Sequence, residues 1–139
     1  MIVVVIVGIL AVVAFPSFMD SIRKSRRSEA FAALAAMQQA QERWRSNHAA
    51  YTTTLADLGV ATPTTSGYYG LSLAASGDDC DSLNTAYVAT AIGVDSTSQA
   101  SDAQCRRLSV RVCGGNIAYA GCYDCANFSY APTNSCWPK

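Results

Sequence analysis

The chain has 139 residues, enough for one domain with a modest hydrophobic core and too few for a multidomain enzyme. Ten basic and ten acidic side chains give a formal net charge of zero, so no overall field would attract nucleic acid or an acidic surface. Six cysteines in so short a chain favour an oxidising compartment, where disulfides persist, over the reduced cytosol. We therefore expect an exported protein.

The first 19 residues contain no charged side chain and are mostly aliphatic. As an α-helix this segment would be about 28 Å long, close to the thickness of a bilayer's hydrocarbon core. It is longer than the apolar core of a usual signal peptide, which makes a plain signal peptide the weaker interpretation. We expect the segment to span a membrane.

A basic cluster follows the apolar segment directly and consists of Arg23, Lys24, Arg26 and Arg27. In an ordinary single-pass anchor, the positive-inside tendency would place this cluster and everything after it in the cytoplasm. The cysteines indicate the opposite side of the membrane. Removal of a basic leader from before Met1 would resolve this conflict. The simplest role for the cluster is a solvated collar, or one at the level of the lipid headgroups.

Residues 28–46 continue the helical pattern, because they are rich in good helix formers and contain neither Gly nor Pro. One face of this helix carries a stripe formed by Ala30, Leu34, Met37, Ala40 or Gln41, and Trp44. Such a stripe is more often core than a cofactor site. We expect a single helix of about 45 residues and about 70 Å, whose first half protrudes and whose second half packs on a globular head.

From Asn47 the pattern becomes that of a loop, with Gly59 and Pro63 leading away from the helix. His48 is the sole histidine, and we expect it at the helix end or on the surface because no catalytic pattern accompanies it. Strand signals follow over 68–73, 87–92, 108–112 and 116–119. The expected fold class is α+β, with one long N-terminal helix against a small antiparallel sheet and a disulfide-rich C-terminal region.

The N-terminal residues resemble those of a known family. Residues 1–11 read Met-Ile-Val-Val-Val-Ile-Val-Gly-Ile-Leu-Ala, Pro16 follows, and residues 23–30 read Arg-Lys-Ser-Arg-Arg-Ser-Glu-Ala. This pattern resembles the N-terminal helix of type IV pilins. Weaker motifs that look like a pilin head follow in the same order: Tyr51…Leu55…Leu58, Gly67-Tyr68-Tyr69, Asp102…Cys105…Leu108 and Cys136-Trp137.

One part of the pilin pattern is missing from this sequence. Mature pilins begin with Phe-Thr-Leu-Ile-Glu-Leu, whose glutamate would lie two positions before Met1, and the processing and methylation site also falls outside the sequence. The role of that glutamate in assembly is therefore carried over to no residue here.

The resemblance implies a structural subunit rather than an enzyme. Its partners would be copies of itself in a helical homopolymer, the inner membrane before assembly, and the pilus assembly machinery. Its location would be an extracellular filament on the cell surface. We expect no cofactor, no metal and no specific nucleic acid, since Arg106, Arg107 and Arg111 are too few to indicate DNA binding. The alternatives are a minor pilin, a type II secretion pseudopilin and, more remotely, a membrane-tethered thiol-disulfide protein.

Within the filament, the apolar residues of the first half of the helix would form the contacts between subunits: Ile2, Val3, Val4, Val5, Ile6, Val7, Ile9, Leu10, Val12, Val13 and Phe15. Gly8 and Pro16 both weaken a helix. Because the resembling family often loses helix between these positions in filaments, we expect an unwound segment there after assembly; the alternative is a mild kink at Pro16. The expected division is an anchor and filament core with its collar over 1–27, and a head over 28–139.

The cysteines support three interpretations. Cys122-Tyr123-Asp124-Cys125 is a Cys-x-x-Cys motif, which can be a redox pair or half of a zinc site. A thioredoxin-like motif begins a helix, whereas this one follows a strand-like region, and Cys105 and Cys113 are too far apart in sequence for a second close zinc pair. Structural disulfides are therefore favoured. The resemblance implies a Cys105–Cys136 bridge, and we expect two more among Cys80, Cys113, Cys122 and Cys125.

Overall fold

The computed structural model describes residues 2–76, 80, 82–132 and 134–138, and the side chains of residues 13–16 are outside that description. One long helix and four strands carry the fold in these ranges: α1 (Ile2–Arg45), β1 (Tyr69–Ala74), β2 (Ala86–Gly93), β3 (Arg107–Cys113) and β4 (Asn116–Cys122). Two short 3-10 helices, Leu55–Leu58 and Ser98–Ser101, lie in the connections. The predicted α+β class is confirmed.

Helix α1 is continuous over 44 residues, and its two halves have different surroundings. The aliphatic side chains of the first half are exposed, whereas Ala30, Leu34 and Met37 in the second half are 0% exposed. These buried residues recur at three- and four-residue spacing, which places them on one face. The predicted unwinding between Gly8 and Pro16 concerns the assembled filament and stays a prediction.

Trp44 corrects one detail of the predicted helix stripe. It is only partly buried, and its ring stacks on His48 with 3.7 Å between ring centroids. The Nδ1 atom of His48 lies 2.9 Å from the Trp44 carbonyl oxygen, one turn away at the end of the helix. The buried stripe therefore ends at Ala40 and Gln41, which are 5% and 0% exposed, and Trp44 packs against His48 beyond it.

The four strands form an antiparallel meander in the order β1-β2-β3-β4. Gly114 and Gly115 join β3 to β4 with φ angles of 54° and 85°. A two-residue hairpin favours glycine at such positions because positive φ costs it nothing sterically. All four predicted strands are present.

The core lies between α1 and one face of the sheet. Alternate residues of the strands point to that face, as the two-residue period of a strand requires. The sheet contributes Tyr69, Leu71, Tyr87, Ala89, Ala91, Leu108, Val110 and Val112. Each large apolar side chain buried in this way contributes about 1.5–3 kcal/mol to folding.

All six cysteines are paired in three bridges, Cys80–Cys113, Cys105–Cys136 and Cys122–Cys125. The corresponding Cα–Cα distances are 5.9, 5.6 and 6.0 Å. The first two bridges close long loops, with sequence separations of 33 and 31, so they constrain the unfolded chain most.

Candidate functional site

The first half of α1 presents a continuous apolar surface. Its large aliphatic side chains are between 52% and 77% exposed: Ile2, Val3, Val4, Val5, Ile6, Val7, Ile9, Leu10 and Val12. The other predicted assembly residues, Val13 and Phe15, and the side chain of Pro16 fall in the part of α1 whose side chains are not described. By length and composition α1 can cross a membrane. A patch of this size is typical of contact with lipid or protein.

The basic collar that follows this surface is folded onto the head. Arg23 Nε donates to the carbonyl oxygen of Ser98 at 3.2 Å, and Arg26 donates to the Ser98 hydroxyl. The Arg26 guanidinium also lies 4.1 Å from the centre of the Tyr68 ring. These two residues are therefore not simply solvated, because the loop between β2 and β3 approaches the helix here; a collar at the level of the lipid headgroups stays a prediction.

Gln99, in the loop between β2 and β3, adds further hydrogen bonds where this loop meets α1. Its side-chain amide nitrogen donates to the Tyr69 hydroxyl at 2.6 Å and to the Arg23 carbonyl at 3.3 Å. Burial raises the pKa of Tyr69, so its hydroxyl stays protonated over the physiological range. A buried amide bonded in this way fixes both the helix and the loop.

Arg27 and Asp102 form a buried ion pair between α1 and the same loop. Two parallel hydrogen bonds of 2.7 Å join the guanidinium to the carboxylate, and the two residues are 7% and 2% exposed. The carboxylate also accepts from the backbone N–H groups of Gln104 and Cys105 at 3.3 and 3.1 Å. Burial alone would raise the pKa of Asp102, but these hydrogen bonds and the charge of Arg27 hold it below its ordinary value.

The other end of the head is fixed by Gln41. Its side-chain nitrogen donates to the Thr52 carbonyl at 2.6 Å, and its side-chain oxygen accepts from the Thr52 backbone N–H at 3.2 Å. Because both backbone groups of one residue are satisfied by a fully buried amide, the chain leaving α1 is held against the helix.

The three arginines in and next to β3 contact other groups of the head. Arg106 forms an ion pair with Asp95, and Arg107 donates to the Cys125 carbonyl oxygen at 2.9 Å. The Arg111 guanidinium lies 4.3 Å from the centre of the Tyr130 ring. These three side chains therefore already have partners inside the head.

The C-terminal tail (residues 123–132 and 134–138) passes from the outer face of β3, across the edge of β4, to the helix. The hydroxyls of Tyr130 and Ser109 lie 2.9 Å apart on the outer face. At the edge, Trp137 Nε1 donates to the Ala120 carbonyl at 2.8 Å. On the helix side, the Trp137 ring lies 4.7 Å from that of Phe31. The Cys105–Cys136 bridge holds the end of the tail there.

The Cys-x-x-Cys motif lies at the end of a strand. Cys122 is the last residue of β4, and Cys125 lies in the turn that follows, disulfide-bonded to it. The described part of the chain contains no group of three or more His, Cys, Asp or Glu side chains placed to hold a metal ion.

Sequence reasoning missed the polar residues that join the helix to the head. Arg27 was grouped with the basic collar, Gln41 was placed in the helix stripe only as an alternative to Ala40, and Gln99 gave no pattern of its own. One signal was available for Gln41, because a polar residue at a position of the apolar stripe must find a buried partner. Nothing in the sequence near Arg27 indicates Asp102, which is 75 residues away.

A comparison of the sequence with models of protein families gives a match. The family model described as type IV minor pilin ComP, DNA uptake sequence receptor, matches residues 16–109, which run from within α1 into β3. None of the curated proteins compared with the chain matches it. The match covers well over half of the chain and includes the packed half of α1 and strands β1 and β2. The chain belongs to this ComP family of type IV minor pilins.

Proposed function

We propose that the protein is a structural subunit of a type IV pilus, of the minor pilin kind, which enters the filament through the first half of α1. The observation that carries the proposal is the row of nine exposed aliphatic side chains between Ile2 and Val12, which the head leaves uncovered. Such a surface is stable in the inner membrane before assembly and among the helices of other subunits afterwards. No catalytic step is needed for this role.

The free-energy difference between the membrane and the filament is small enough for an assembly machinery to move the subunit from one to the other. Burying one of these side chains from water gives about 1.5–3 kcal/mol. Lipid is already apolar, so the gain on moving from lipid to a filament is much smaller than the sum of these terms. An assembly machinery can therefore extract the subunit. The subunit would then be displayed on the cell surface within the pilus.

The proposed division of labour follows the two halves of the helix. Residues 1–27 would anchor the chain and form its part of the filament core, and residues 28–139 would form the head. The contacts of Arg23, Arg26 and Arg27 with the head support a rigid junction at the boundary.

The test is incorporation into purified pili, measured by quantitative mass spectrometry. Val5→Asp should abolish incorporation, because an unpaired charge among apolar helices costs several kcal/mol. Ile117→Asp is the matched control, since Ile117 is 51% exposed on the head and Val5 is 61% exposed on the helix. Equal incorporation of the two variants would show that the helix is not the assembly surface. A copy number comparable to that of the main subunit would contradict the minor-pilin assignment.

A second candidate function is DNA binding by the head. What supports it is the description of the family as a DNA uptake sequence receptor and a matched range that includes most of the head. The zero net charge argues against strong non-specific binding, so any such role would depend on sequence. Arg106, Arg107 and Arg111 would have to exchange their partners within the head for phosphates.

Selection from a randomised library of double-stranded DNA tests this second candidate. At about 150 mM salt, the protein should enrich a short motif, and affinity for that motif should exceed affinity for scrambled DNA by about 10³ or more. Binding that shows no enrichment and disappears as salt rises would leave only the structural role.

A further inference from the structure

A small cleft of about 110 Å³ lies where the collar meets the head. Four residues of α1, Asp20, Arg23, Lys24 and Arg27, line one side, and the head loop at 102–104 lines the other. The cleft therefore lies between the apolar half of the helix and the folded head.

The charges in this cleft do not balance. Arg27 is fully engaged by Asp102 in a buried pair. Arg23 holds the carboxylate of Asp20 at 2.9 Å, but the Asp20 side chain is 68% exposed, so that pair is weak and easily exchanged. Lys24 is exposed and has no acceptor for its ammonium group among the described residues. One positive charge is left over, and the cleft suits an anion.

The height of the cleft relative to the bilayer indicates which anion it would meet. With the uncharged segment 1–19 in the hydrocarbon core, Asp20 to Lys24 rise about 1.5–7.5 Å beyond it. The polar headgroup layer on each side of a bilayer is about 5–8 Å thick. Lys24 therefore reaches the level of the lipid phosphates, and Arg23 lines the same cleft.

We propose that this cleft binds the phosphate group of an anionic phospholipid before assembly, when α1 is inserted in the membrane. Lys24 and Arg23 would be the hydrogen-bond donors. The lipid phosphate takes the place that Asp20 occupies beside Arg23. The proposal rests on the membrane insertion of α1 that the proposed function requires. It gives the head a fixed height above the membrane, and the lipid is released when the subunit is withdrawn into a filament.

The experiment uses the full chain in nanodiscs that contain equal amounts of phosphatidylglycerol and phosphatidylcholine. Native mass spectrometry counts the lipids of each kind that stay bound after release from the disc. We expect phosphatidylglycerol to be retained preferentially, and Lys24→Gln to reduce its retention about fivefold, as expected for the loss of one headgroup-level cation. Asp20→Asn should have the opposite effect, because it removes the competing carboxylate.

Arg43→Gln is the matched control. It removes the same charge from an exposed position on the same helix, about 28 Å from Lys24. If Arg43→Gln lowered lipid retention as much as Lys24→Gln, or if wild type retained both lipids equally, the cleft would not be a lipid site. A separate arm offers inorganic phosphate to the protein in detergent. Phosphate binding that depends equally on Lys24 would overturn the assignment to lipid.

The failure of this proposal can be distinguished from failure of the proposed function. A wild-type chain that stays in the disc without a preference for phosphatidylglycerol would overturn the lipid site alone. A wild-type chain that does not stay in the disc would overturn both the site and the anchoring role of α1.

Discussion

Arg27 and Asp102 are 75 residues apart in the sequence, yet they join the helix to the loop that precedes β3. Burying two charges is unfavourable unless each is fully hydrogen-bonded, and here the carboxylate also accepts from two backbone N–H groups. The pair therefore fixes where the head sits along α1. It also positions Cys105, whose disulfide holds the C-terminal tail.

Asp102→Asn should destabilise the head by about 3–5 kcal/mol, because it leaves the Arg27 charge buried without a partner. Chemical unfolding of the full chain in detergent, followed by tryptophan fluorescence, measures this change, since both tryptophans lie in the head. Arg106→Gln is the control. Its partner Asp95 has a side chain that is 89% exposed, so the loss should be below about 1 kcal/mol. Equal losses in the two variants would contradict the role of the buried pair.

The same pair predicts a dependence of stability on pH. The pKa of Asp102 is lower in the folded head than its ordinary value of 3.8, so the unfolded chain binds this proton more readily. The stabilisation is fully present above about pH 4 and is lost as pH falls further, through the folded pKa. The stability difference between wild type and Asp102→Asn should therefore shrink below pH 4. A difference that stays constant down to about pH 2.5 would be inconsistent with this account.

At the scale of elements, the C-terminal tail packs closely against β4 at Gly121, where Cys136 occupies the space that a side chain would need. A Cβ at Gly121 would lie 2.6 Å from the Cys136 Cβ and 2.9 Å from its sulfur, closer than packed atoms can approach. Gly121→Ala should thus cost about 1–3 kcal/mol by overpacking. Gly70→Ala in β1 is the control, because its nearest neighbouring atom is 3.9 Å away. If thermal unfolding showed the same decrease in Tm for both variants, the tail would have to shift to accept a methyl group.

The first half of α1 is the element whose conformation we expect to differ after assembly. Gly8 weakens the helix by backbone entropy, and Pro16 lacks the N–H group that the helix needs. We expect an unwound segment between them in the filament, with helix resuming beyond it. A filament map with unbroken helical hydrogen bonds across this segment would disprove the prediction.

At the scale of the whole molecule, the head should be independent of the apolar half-helix. A chain that begins at Ser21 keeps the head contacts of Arg23, Arg26 and Arg27 and all three disulfides. Made in an oxidising compartment, it should be a folded, soluble monomer that forms no fibres. Light scattering and electron microscopy measure both properties. Growth of the same fibre from this shorter chain would mean that head contacts hold the filament together.

The sequence by itself determined the features that depend on neighbouring residues. The uncharged run 1–19, the stripe of Ala30, Leu34 and Met37, and the alternation along β3 each follow from local composition or period, so the long helix, its protruding half and the small sheet could be predicted. The type IV pilin resemblance also rests on this local pattern, and the family match confirms it.

Only the tertiary structure decided which distant residues meet. The pairing of Cys80 with Cys113 and the partner of Arg27 depend on how the head closes over sequence separations of 33 and 75 residues. The placement of the two tryptophans depends on it as well: His48 covers Trp44 outside the core stripe, whereas the tail brings Trp137 against Phe31. Side-chain type alone does not specify these contacts, because polar partners and tail packing are set by the three-dimensional arrangement of elements that are far apart in the chain.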